Sequence, residues 1–142
     1  LLYQKKGSLI FKILTYIKMN LEELTIQGIR KIVDKSSVFL NEIGEFAPFG
    51  LIYKNNKWID IATYDDSMNS TIMRNFLMST ISQDLQEENC LFGAVCVDVR
   101  IEDIGDAIII YNSTKSDEWY ELIYKYITTE NGEKIIEESP VD

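Results

Sequence analysis

FGLIYKNNKWIDIATY, residues 49–64, decides the fold class. Phe49–Lys54 and residues 57–64 are rich in β-branched and aromatic side chains, and they meet at Asn55-Asn56. Asparagine tolerates the positive φ that a two-residue hairpin turn demands, so the two runs are expected to pair antiparallel. In the second run Ile59, Ile61 and Thr63 alternate with Trp58, Asp60, Ala62 and Tyr64, giving a strand with unlike faces.

Upstream the period changes. Leu21, Leu24, Ile29, Ile32, Val33, Phe39, Leu40 and Ile43 recur at three- and four-residue spacing, which predicts a helix over 19–43 that Gly44 ends. Gly28 and Ser36-Ser37 read as weak spots in it. Downstream, Asp65-Asp66-Ser67 and Asn69-Ser70 offer N-caps for a second helix over about 69–88. Its stripe is Ile72, Met73, Phe76, Leu77, Ile81 and Leu85. Strands follow at Cys90–Ile101, 106–113 and 118–129, and Asn131-Gly132 leaves room for a sixth, short edge strand at 133–137. The expected fold is α+β: a single antiparallel sheet of about five strands in the order α-ββ-α-βββ, with two helices on one face.

Strand alternation then sorts side chains. Leu91, Val95, Val97, Val99 and Ile101 share a face of the third strand, opposite Phe92, Ala94, Cys96, Asp98 and Arg100. In the last long strand Tyr120, Leu122, Tyr124 and Tyr126 read as buried, opposite Trp119, Glu121, Ile123 and Lys125. The first and fourth strands are apolar on both faces and do not sort. With aliphatic faces under the helices, the other face carries Trp58, Asp60, Tyr64, Asp98, Arg100, Trp119, Glu121 and Lys125. Aromatics mixed with both charge signs suit a partner-binding surface. They equally suit a solvated face with ion pairs of Asp98 or Glu121 with Arg100 or Lys125.

The 142 residues hold no histidine, 14 basic and 23 acidic residues, for a net charge of −9. No Ser-His-Asp triad, Cys-His pair or imidazole metal site can be built from them. Lys5, Lys6, Lys12 and Lys18 are the only charges in the first 18 residues, so from Met19 onward the balance is −13. Residues 1–18 are therefore set apart as an N-terminal extension, either upstream sequence or a short helix on the body, from a single domain over 19–142. A field of that sign repels phosphate backbones and favours a basic partner. Cys90 and Cys96 in one strand lie about 20 Å apart, too far for a disulfide. Unpaired thiols suggest a reducing, cytoplasmic setting. No run of 18 apolar residues occurs, so no membrane partner is expected.

Chemical motifs are few. Asp65-Asp66 reads as a capping pair more than a Mg²⁺ site. Asp98 and Arg100 share a face, as an ion pair or as the seat of an acid ligand. No P-loop, GxGxxG, GxSxG or EF-hand spacing occurs. No cofactor, metal or nucleic acid is expected.

Residues 44–50 (GEFAPFG), the later Trp58-Ile59-Asp60, Cys96-Val97-Asp98-Val99-Arg100 and Asp106-Ala107-Ile108 together resemble a family of small bacterial α+β proteins with "GEFxPFG…DVR…DAI" motifs. The likeness spans about residues 38–138. Ala47 stands where that family carries an aromatic residue. The resemblance implies a fold and supplies no reaction or site residues. Pro48 fits the start of a strand, and Gly50 a close backbone approach.

These features lead to an expectation of a non-enzymatic, acidic, cytoplasmic protein-binding module. It would be an immunity-protein-like neutraliser of a basic partner. The alternatives are a small-ligand or enzymatic domain using Asp98 and Arg100, and a homodimeric structural domain.

Overall fold

The computed structural model describes residues 2–63, 65 and 67–142, with side chains from Leu21 onward. The elements are α1 (Leu2–Glu42), β1 (Phe49–Lys54), β2 (Lys57–Ala62), α2 (Ser70–Asp84), β3 (Cys90–Ile101), β4 (Gly105–Lys115), β5 (Glu118–Thr128) and β6 (Lys134–Ile136). One antiparallel sheet runs in the order β2-β1-β3-β4-β5-β6, so the class expected from the sequence stands, with the sixth strand present. Asn55 and Asn56 both take positive φ, +53° and +61°, and turn the β1–β2 hairpin. Gly44, at φ +93°, closes α1 with its N–H on the Leu40 carbonyl at 3.0 Å. Asn69 caps α2, its Oδ1 accepting from the Ile72 N–H at 2.9 Å. Asp65 instead closes its own turn by accepting from Ser67. Asp66 and Tyr64 lie outside the described residues.

Two expectations need correction. The first helix begins at Leu2 and passes through Met19 without interruption. The second concerns layering: the helices cover opposite faces of the sheet. Ile29, Ile32 and Leu40 of α1 pack with Phe49, Leu51, Phe92, Ala94, Cys96, Ile108, Ile110, Tyr124 and Tyr126. Leu77, Ile81 and Leu85 of α2 pack with Ile52, Cys90 and Val95. Along β1 and over Phe92–Cys96 of β3 these sets alternate residue by residue, which two-sided burial produces, and Cys90 joins the α2 side beyond the register shift at Lys54. Strands apolar on both faces were the signal for a helix on each side.

The helices dock through small residues. Leu24, Gly28, Ile32, Ser36 and Leu40 form a buried ridge of α1 at four-residue spacing. A Cβ at Gly28 would fall 2.5 Å from the Phe92 ring. Ser36 meets Cys96, Oγ to Sγ 3.4 Å. On the other face a Cβ at Gly93 would fall 2.2 Å from Ile81, and Gly50 leaves 3.2 Å to the same side chain. The supposed weak spots of α1 are thus its contact points. Ile72 and Phe76, assigned to the buried stripe of α2, are about half exposed, and Ile43 is outside the core. Among the described residues no helix is long and apolar enough to cross a membrane.

Candidate functional site

Three of the four motif fragments of the sequence converge at one place. Gly44 and Glu45 follow the end of α1, Asp98, Val99 and Arg100 lie on β3, and Asp106 faces Arg100 across the β3–β4 ladder. With Tyr126 of β5 and Lys134 of β6 they line an open polar depression of about 320 Å³. Asp98 is its structural centre. Tyr126 Oη donates to Asp98 Oδ1 at 2.6 Å, and the Phe46 backbone N–H donates to the same carboxylate. One side chain therefore joins the α1–β1 loop, β3 and β5.

The electrostatics oppose one another at Asp98. Burial pushes its pKa up, the hydrogen bonds from Tyr126 and Phe46 pull it down, and the nearby Asp106 and Glu45 carboxylates raise it; the net direction is upward. Burial, then the Asp98 contact, raises the Tyr126 phenol well above its usual range. Arg100 Nη1 reaches Asp106 Oδ1 at 3.5 Å with most of its side chain in water, so this pair is weak. Arg100 thus pairs with Asp106, neither Asp98 nor Glu121. Asn41 of α1 holds β6 in place, donating to the Lys134 carbonyl at 3.1 Å and accepting from the Lys134 N–H at 2.8 Å. The Lys134 ammonium donates to Thr128 Oγ1 at 2.8 Å.

The eight residues assigned to one open face are not on one face. Trp58, Asp60, Asp98 and Arg100 project on the α1 side, whereas Trp119, Glu121 and Lys125 project on the α2 side. Trp58 packs edge-on against Tyr53 and Phe92, with centroids 4.9 and 5.8 Å away. Asp60 pairs with Lys35 at 2.8 Å. Trp119 joins the α2 core, its Nε1 donating to Ser82 Oγ at 3.0 Å. Glu121 is exposed and Lys125 half-buried. Tyr64 lies outside the described residues.

Of the seven that are described, only Asp98 and Arg100 meet in the depression. Glu45, Asp106, Tyr126 and Lys134 were not singled out as site residues, although the motif fragments already contained Glu45 and Asp106. Among the described residues no group of three or more acidic or thiol side chains could hold a metal ion. No protein-family model, curated protein or solved structure matches the chain, so the motif resemblance brings residues together without assigning a family.

Proposed function

We propose that the chain is an acidic protein-binding module, of the immunity-protein type, and that the Asp98 depression receives a cationic side chain of a basic partner. The observation that carries this reading is the excess of three carboxylates, Glu45, Asp98 and Asp106, over two cations, Arg100 at Asp106 and Lys134 at Thr128, in one concave site just beyond the C-terminal end of α1. That end of a helix carries partial negative charge, which adds to the three carboxylates. The half-buried Asp98, already fixed by Tyr126, can meet an arginine or lysine without first being ordered. The net charge of −9 steers such a partner toward the protein.

The test is a pull-down from the native host with two baits. The wild-type bait should retain a basic protein that the Glu45→Lys/Asp106→Lys bait loses, and association should slow steeply with salt over a screening length of about 8–10 Å. Equal retention by both baits contradicts the proposal.

A further inference from the structure

The cavity between α1 and β2 differs from the Asp98 depression in having an apolar floor. Its floor is Ile32, Phe49 and Leu51, all nearly inaccessible to solvent, and its wall is Trp58. Lys31, Lys35 and Asp60 stand around its mouth, and the space is about 210 Å³.

The reason it exists is the docking of α1. Gly28 and Ser36 draw the helix axis onto β3, so its neighbouring flank hangs over β1 and the edge strand β2. There Lys31 and Lys35, one turn apart, reach over the sheet. Lys31 Nζ lies 5.5 Å from the Trp58 ring centroid, and Lys35 Nζ lies 5.6 Å from that of Phe49. Lys35 is held at Asp60, 2.8 Å away, while no ion pair of Lys31 occurs among the described residues. Two lysines covering apolar surface would alone be ordinary packing. The partly open space beneath them, with an apolar floor and with Lys31, Lys35 and Asp60 at its mouth, has the layout of a small-molecule pocket.

We infer that this cavity binds a small aromatic carboxylate, with its ring on Ile32, Phe49 and Leu51 beside Trp58 and its anionic head between the Lys31 and Lys35 ammonium groups. The head group forms charge-assisted hydrogen bonds with both lysines, sharing Lys35 with Asp60. A cationic ligand of the same shape meets two like charges at the mouth, and a neutral amide gives up the charge-assisted part of the interaction. This site is separate from the Asp98 depression, and either can fail alone.

Trp58 emission reports on the site directly once Trp119 is replaced. In a Trp119→Phe background, phenylacetate, phenylacetamide and phenethylamine are titrated against the protein. Phenylacetate should give a saturable change with a Kd about tenfold below that of phenylacetamide, and phenethylamine should give none. Lys31→Gln should weaken the preference for the acid over the amide to what Lys35, shared with Asp60, supplies, and Lys31→Arg should restore most of it. Both variants should melt with the parent, because Lys31 is exposed. No saturable change with phenylacetate, equal affinity for acid and amide, or an unchanged preference in Lys31→Gln would each overturn the inference.

Discussion

Gly28 of α1 and Phe92 of β3 occupy one space: the ring lies where the missing side chain would be, 2.5 Å from the position of an added Cβ. The next residue along β3 repeats the arrangement in reverse. Gly93 makes room for Ile81 of α2 on the other face. Adjacent positions of one strand thus set how closely both helices approach.

Gly28→Ala is therefore expected to destabilise the fold, although alanine is the better helix former. Overpacking a core costs about 1–3 kcal/mol, and the gain in helix propensity is about 1 kcal/mol. Phe92→Leu makes room, so Gly28→Ala should cost less in that background. Denaturant midpoints of the four proteins in the cycle measure the coupling. Additive effects would place the helix elsewhere.

Trp119→Ala is expected to lose about 1–3 kcal/mol of stability, below the about 3–5 kcal/mol of a fully buried tryptophan because the residue is only partly buried. The loss comes from the α2 core contact and the Ser82 hydrogen bond. Urea unfolding would show it. A change near zero would return Trp119 to an open face.

Asp98 gives a pH signature. Its folded pKa is raised above the ordinary value of 3.8, chiefly by burial. The folded state then holds the proton more tightly than the unfolded one, so this group favours folding most at low pH. That contribution is lost as pH rises from the ordinary value through the folded one. Asp98→Asn keeps an acceptor for Tyr126 and removes the charge. Its melting temperature relative to wild type should rise between pH 4 and 7, and the difference should shrink in stronger acid. A difference that falls with pH would reverse the assignment.

Both thiols should resist labelling in the folded protein. Cys96 is inaccessible, with burial pushing its pKa up to about 12, and burial raises Cys90 as well. Reaction with a thiol reagent at pH 8 should track unfolding in denaturant. Rapid labelling without denaturant would show that the β3 core is open.

The strands were legible because turns and alternation are local. The run before Asn55-Asn56 and the Cys90–Ile101 run gave two strands at the bounds observed, and the strand after the turn ends at Ala62, two residues short of the expected 64. Which faces of different strands coincide is not local, since it depends on register between strands far apart in sequence. Alternation, with both helices taken to lie on one face, groups Trp58 with Trp119, and the pairing puts them on opposite sides. Gly28 and Ser36 looked like helix weaknesses because propensity counts one helix at a time, while docking rewards small residues. Asp98 and Arg100 could be paired on one face by alternation. Tyr126 reaches Asp98 only through the β3–β4–β5 register.

The central claim is that the Asp98 depression is where a cationic group docks. Its most direct test is an NMR titration of the ¹⁵N-labelled protein with a hexa-arginine peptide at low salt. The expected result is saturable shifts grouped at Glu45, Phe46, Asp98, Asp106 and Tyr126, lost in Glu45→Lys/Asp106→Lys. Shifts spread evenly over the acidic surface, or undiminished in that variant, would contradict the claim.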